Sequence, residues 1–374
     1  MSRLLKFGSM FAVLAMVVLL HPAQAQVQRN PLPVPDIPGF HTLKCDLHMH
    51  TVFSDGYVWP STRVAEAYRQ GLDVISITDH DDHHPKTGLV SDDCNKPYEI
   101  AKPFAGELGI ILIPGVEITK GEWHFNALFV KDANATKRLE KREALLEARK
   151  QGAYVFWNHP GWKRPTEWFA EISPLYDEER LFQGVELVNG RTVYQEAFAW
   201  RDSKGLAMIG ASDIHQAAAP EDEDGRPITL LFAKSRDAAG VREALDAGRS
   251  VVWMGGELWG TEELLTGLWK GAVEVVTPTG PFNPKKHRTA SLRLANRSAI
   301  GFQLKPLNLP EWVRMRGGSV DPLRDATLTM YLDGNAPAGA HNIALELEIT
   351  NLHAAPGKNV VVTVPLALAI EPAS

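Results

Sequence analysis

His48 and His50 stand two residues apart where an apolar run stops, in Asp46-Leu47-His48-Met49-His50. Residues two apart on a strand point the same way, so both imidazoles can grip one cation from a rigid platform. One His-x-His alone says little in a chain with 13 histidines. The pattern repeats, however. Thr78-Asp79-His80-Asp81, Gly115-Val116-Glu117, Asn158-His159-Pro160 and Ser212-Asp213-Ile214-His215 each fall where an apolar run gives way to a turn. His124 differs, since it begins its run. Imidazoles and carboxylates in such numbers point to a cluster of divalent metals, and such clusters activate water.

These residues need a scaffold that presents strand ends to one place. Strand-like runs are expected at 43–49, 74–77, 110–113, 125–130, 153–157, 184–188, 207–210, 229–233 and 250–253. Helical patterns lie between several of them. Val64, Ala65 and Tyr68 share a face that ends at Gly71, and Ala238, Val241 and Leu245 share another that ends at Gly248. Residues 135–151 read as one long charged surface helix. Alternation of this kind gives a parallel sheet with helices outside, and about seven units suit a closed barrel. The ligand candidates then collect at its C-terminal mouth. After residue 272 the texture changes to β-like runs at 273–276, 291–294, 327–332, 343–352 and 360–366, separated by Gly, Pro and Asn. Ile343, Leu345, Leu347 and Ile349 alternate with polar or small residues, as on a half-buried strand. The expected organisation is a barrel over 41–272 and a β-sandwich over 273–374.

The 374 residues carry a net charge of −6, so no basic surface points to nucleic acid. At the N-terminus, Arg3 and Lys6 precede an apolar run over 10–20 and then Ala23-Gln24-Ala25. This is the pattern of a secretory signal cleaved after Ala25, so export is expected, to a bacterial periplasm, with no membrane attachment afterwards. Residues 26–40 hold four prolines and read as an extended leader. Cys45 and Cys94 could pair in an oxidising compartment, but Cys45 falls in a buried strand where a free thiol also packs well.

The segments Asp46-Leu47-His48-Met49-His50-Thr51, Ser54-Asp55-Gly56, Thr78-Asp79-His80, Gly115-Val116-Glu117, Asn158-His159-Pro160-Gly161 and Ser212-Asp213-Ile214-His215 resemble, in order, the motifs of the polymerase-and-histidinol-phosphatase (PHP) superfamily. The resemblance covers about 41–255 and implies a distorted (β/α)7 barrel with two or three divalent metals. It implies His48, His50, Glu117 and Asp213 at a first metal, and Glu117, His124 and His159 at a second, with Glu117 bridging. Asp55, His80 and His215 would hold a third. A carboxylate at Asp55 suits manganese or iron beside zinc. The segments 47–56, 123–129 and 156–162 also resemble a secreted bacterial branch that carries a C-terminal Ig-like domain. That branch includes phosphodiesterases acting on small organophosphate diesters.

The implied chemistry is attack on a phosphate ester by a metal-bridging hydroxide held by Glu117 and Asp213. Leaving-group protonation falls to a second-shell acid or a metal-bound water, with His83 and Asp81 near His80 as candidates, although a solvated loop is the commoner reading of both. Asn189 and Arg191 end a barrel strand and could contact substrate. Trp157, Trp162 and Trp168 could wall the pocket or simply pack. Lys163 and Arg164 form a small basic patch beside His159. Besides a phosphodiesterase, the pattern admits a phosphomonoesterase, an amidohydrolase-type enzyme or a non-catalytic binding barrel.

Overall fold

The computed structural model describes residues 27–219, 225–286 and 288–372. The signal segment expected over 1–25 lies outside the described residues. Among them, no helix is long and apolar enough to cross a membrane.

The barrel opens with β1 (His41–Asp46), α1 (Pro60–Arg69), β2 (Val74–Ile77), α2 (Lys96–Leu108), β3 (Ile111–Lys120) and β4 (Trp123–Leu128). It continues with α3 (Lys141–Lys150), β5 (Tyr154–Trp157), β6 (Gly184–Asn189), the short return strand β7 (Thr192–Val193), α4 (Gln195–Lys204) and β8 (Ala207–Ala211). It ends with β9 (Ile228–Ala233), α5 (Ala238–Asp246), β10 (Ser250–Met254), β11 (Glu257–Trp259) and α6 (Glu262–Ala272). β1, β2 and β3 pair in parallel, as do β5, β6 and β8. β4 and β9 run against them, and β10, antiparallel to β9, returns to the common direction. The runs at 125–130 and 229–233 are therefore not members of a parallel series. For β4 the reason is local. Only Gly121 (φ +68°) and Glu122 separate it from β3, and a parallel return would need a dozen or more residues.

The ring closes where β8 meets its neighbours. Gly210 N donates to Thr229 Oγ1 (2.9 Å) on β9. A Cβ at Gly210 would collide with Val252, so only glycine allows this approach. Nearer the mouth, Asp213 N donates to His48 O (2.9 Å) and His50 N to Ile214 O (3.0 Å). β1 itself ends at Asp46, so His48 and His50 sit beyond the strand, pinned by these bonds rather than by a ladder.

The long helix expected over 135–151 is shorter. A 3-10 turn over Ala133–Thr136 comes first, Lys137 and Arg138 (φ +61°) break the backbone, and α3 starts at Lys141.

The C-terminal part is two antiparallel sheets. One contains β12 (Val273–Val276), β13 (Thr289–Asn296), β15 (Val313–Met315) and β17 (Asp325–Leu332). The other contains β14 (Phe302–Leu307), β16 (Gly318–Val320), β18 (Gly339–Ala355) and β19 (Lys358–Ile370). Their inner faces join the barrel in one apolar core that runs from Val64 and Ile77 through Leu265 and Leu268 of α6 to Leu294, Phe302 and Leu347. β18 also pairs in parallel with β11, so the second sheet continues the barrel sheet. The proline-rich leader is extended but not idle. Arg29 binds Asp73 (2.7 Å), Ala299 N donates to Pro33 O (2.7 Å), and Ile37 is buried. Cys45 and Cys94 are both buried free thiols.

Candidate metal centre

His48 and His50 bring their Nε2 atoms to 3.1 Å. Glu117 Oε2 lies 3.3 Å from both. Asp213 Oδ1 lies 3.2 Å from the first and 3.0 Å from the second. Both carboxylate oxygens thus lie within 3.0–3.3 Å of both imidazole nitrogens. A tetrahedral cation with metal–nitrogen distances of about 2.0–2.1 Å needs ligand atoms roughly 3.3 Å apart. The nitrogen–nitrogen and nitrogen–oxygen separations match that spacing, and two imidazoles with two carboxylates suit such an ion in chemistry.

Glu117 reaches further. Its Oε2 also meets His80 Nδ1 at 2.9 Å, and its Oε1 meets His124 Nδ1 at 2.9 Å and His159 Nε2 at 3.6 Å. One carboxylate thus faces five imidazoles, as a bridging ligand would. Asp55 Oδ1 gathers the other end of the cluster: His215 Nε2 at 3.1 Å, His80 Nε2 at 3.6 Å and His50 Nδ1 at 3.8 Å. All nine residues expected as ligands converge. The grouping is more shared than the sequence implies, because His80 stands between Glu117 and Asp55 and His50 faces two groups. Glu117 Oε2, Asp55 Oδ1 and Asp213 Oδ1 are buried without a hydrogen-bond partner. Orphaned acceptors of this kind are costly unless a cation meets them. His159 (φ +28°) and Asp213 (φ +51°) hold left-handed backbone conformations, and strain of this type gathers at functional sites.

The solved structure of a two-domain protein from Bacteroides vulgatus, containing a predicted PHP-like metal-dependent phosphoesterase, is 36% identical with a TM-score of 0.83. The alignment covers 91% of this chain and 99% of that one. The chain belongs to the PHP-like metal-dependent phosphoesterases. A 5'-3' exoribonuclease of Haemophilus influenzae is 38% identical over 109 residues, which is 29% of this chain and only 35% of that protein's length. A lesion-specific endonuclease of Pyrococcus furiosus is 14% identical with a TM-score of 0.42, over 59% of each chain. No family model matches the sequence.

The electrostatics of this PHP centre call for positive charge. Burial disfavours charge on Glu117, yet His80 and His48 hold its carboxyl well below the usual range. Burial likewise opposes charge on His48, and Asp213, Glu117 and Glu186 override it and raise its pKa. His80, also buried, is pushed up to about 11 by Glu117 and Asp55. Without metal, protons on the imidazoles balance the carboxylates. Divalent cations would take over that role.

A second layer orients the ligands. His48 Nδ1 donates to Glu186 Oε1 (2.8 Å), while Glu186 Oε2 accepts from His159 N (2.6 Å) and Asn189 Nδ2 (2.9 Å). His50 Nδ1 donates to Ser54 Oγ (3.2 Å), which donates to Asp79 Oδ1 (2.5 Å). Asn158 Nδ2 donates to Glu117 Oε1 (2.8 Å). Sequence reasoning left Glu186 without a role. Its signal was a carboxylate in the otherwise apolar run Val185-Glu186-Leu187-Val188, buried throughout.

The remaining candidates divide. Asn189 turns inward, its amide also reaching Asp213 Oδ2 at 3.2 Å. Arg191 is exposed and lines a cavity of about 240 Å³ with Ser212, Ile214 and His215. Asp81 is buried and accepts from Thr119 N and Lys120 Nζ, both at 3.1 Å. His83 is exposed, with its ring 5.9 Å from that of His80. Trp157 stacks on Trp200 inside the core (5.4 Å), and Trp168 packs beside it, so neither walls the mouth. Trp162 does reach the mouth, 5.1 Å from the His124 ring. Arg164 is paired with Glu122 and lies over Trp123.

Proposed function

We propose that this PHP phosphoesterase is an exported phosphodiesterase that hydrolyses small phosphate diesters with two or three divalent ions, of manganese, zinc or iron. The observation that carries the reading is the Glu117 carboxylate, which faces five imidazoles with one buried oxygen unpartnered. Bound there, the metals supply Lewis acidity that lowers the pKa of water and neutralises phosphoryl charge. Glu117 and Asp213 would hold the metals that generate the nucleophile. His48 and His50 fix the geometry, locked by Glu186 and Ser54. Hydrolysis adds water across a P–O bond, and the departing oxygen needs a proton. We assign its delivery to His83, whose exposed ring lies 5.9 Å from that of His80. Arg191, which shares a cavity with His215, is the residue we assign to a phosphoryl oxygen.

Support for a diester comes from the Haemophilus relative, since an exoribonuclease cleaves diester bonds. A net charge of −6 disfavours a long polyanion and favours small substrates. Export rests on the Arg3–Ala25 pattern. The test is turnover of a diester and its matching monoester by the manganese, zinc and iron forms, before and after chelation. Diester turnover that stops on chelation is expected. A monoester rate far above the diester rate would reassign the protein as a phosphatase.

A further inference from the structure

Among the described residues, the exposed aromatic side chains are Tyr57 (63%), Trp59 (45%), Trp162 (38%) and Tyr331 (52%). The first three lie on the two loops that carry His50 with Asp55, and His159. Aromatic side chains on the loops that carry metal-ligand candidates are positioned to meet a substrate.

Both loops are fixed. Gly161 abuts Thr166 and the Tyr194 ring, leaving no room for a Cβ, and Trp162 N donates to His159 O (2.9 Å). Arg164, wedged over Trp123 (4.4 Å) and Phe169 (4.9 Å), holds the far side of this loop. Trp162 is therefore presented, not loose, with its ring 5.1 Å from His124 and 5.4 Å from His159. Lys163 places its ammonium 3.7 Å from the ring centroid. The other loop repeats the arrangement. Gly56 is pressed against the backbone of His50 and Thr51, and Tyr57 N donates to His215 O (2.8 Å). Lys86 donates to Ser54 O (3.1 Å) and Gly56 O (2.9 Å) and sits 5.0 Å from the Tyr57 centroid.

The loop beside His124 and His159 thus carries one aromatic–ammonium pair, Trp162 with Lys163, and the loop that holds Asp55 carries another, Tyr57 with Lys86, anchored to His215 through the Tyr57 backbone. A diester seated over Glu117 sends its two ester arms away from each other. We infer that this chain selects diesters with a planar ring on each arm, as in a dinucleoside monophosphate, with Trp162 and Tyr57 as the stacking residues. The inference rests on the phosphodiesterase reading above. Rigid aromatic surface stacks planar groups without regard to their hydrogen-bonding edges, and the ammonium groups add attraction for the anion between them. The preference is therefore for ring-bearing arms in general rather than one base.

The experiment compares adenylyl-adenosine with glycerophosphoethanolamine, a diester without rings, on the metal-loaded full chain. The wild type is expected to prefer the dinucleotide through KM. Trp162→Ala and Tyr57→Ala should each raise KM for the dinucleotide on the order of tenfold and collapse the preference. Trp162→Phe and Tyr57→Phe keep a ring and should retain most of it, which separates stacking from loop damage. Equal losses on both diesters, or a wild type that turns over both with no preference, would overturn the inference alone. Hydrolysis of neither diester by the metal-loaded wild type would overturn the phosphodiesterase reading as well.

Discussion

Glu186 Oε1 accepts a hydrogen bond from His48 Nδ1 at 2.8 Å, with both side chains fully buried. The bond fixes the imidazole tautomer and turns Nε2 toward Glu117 and Asp213. The second oxygen of Glu186 takes two more donors, so no amide can replace it without setting its own NH2 against one of them.

Glu186→Gln should therefore weaken metal binding by about 10–100-fold while the protein stays folded. Metal titration of the chelated protein, with circular dichroism as the control for folding, checks this. Unchanged affinity would show that the buried carboxylate does not orient His48.

Glu117→Ala should cost more metal than the loss of a peripheral ligand such as His124 or His215. It removes a ligand from more than one ion and leaves the cations facing each other. Elemental analysis of the three variants makes the comparison, and full occupancy in Glu117→Ala would refute the bridging role.

Metal affinity should fall as the pH falls. In the metal-free protein burial opposes charge on His48, His80, His159 and His215, and nearby carboxylates nonetheless raise their pKa values. A raised pKa favours the proton on each ring, and the proton must leave for a cation to bind, so a lower pH gives the proton the advantage. Calorimetry in buffers of different ionisation enthalpy should record proton release on binding. Binding without proton release would contradict the charge balance drawn for the cluster.

His83→Ala should lower kcat by about 100-fold on diesters with alkoxide leaving groups and much less on 4-nitrophenyl esters, whose leaving group needs no proton. Equal losses on both would remove His83 from proton delivery.

Much of this centre was legible because its motifs are local. Asp46–His50, Thr78–His80 and Ser212–His215 each sit where a strand hands over to a loop, and such junctions show in one dimension. Gly115–Glu117, expected at such a junction, instead lies within β3, which runs on to Lys120 because its second half pairs with β4. The position of His124 depends on the two-residue turn at Gly121, which sets β4 antiparallel and brings His124 level with Thr119. Glu186 escaped because its partner is 138 residues away. Helix α2 was masked by Pro97 and Pro103, the latter inside the helix. Strands β15 and β16, three residues each, are too short to show a period. Trp157 and Trp168 illustrate the opposite limit, since aromatic residues near a motif read alike whether they face a core or a mouth.

The central claim is that Glu117 lies between metal ions. Anomalous diffraction at the absorption edge of the loaded metal, from crystals of the metal-loaded protein, tests it most directly. The account predicts separate peaks within about 2.0–2.3 Å of both Glu117 oxygens, one of them shared with His48, His50 and Asp213. A loaded protein with no anomalous peak between Glu117 and these three residues would contradict it.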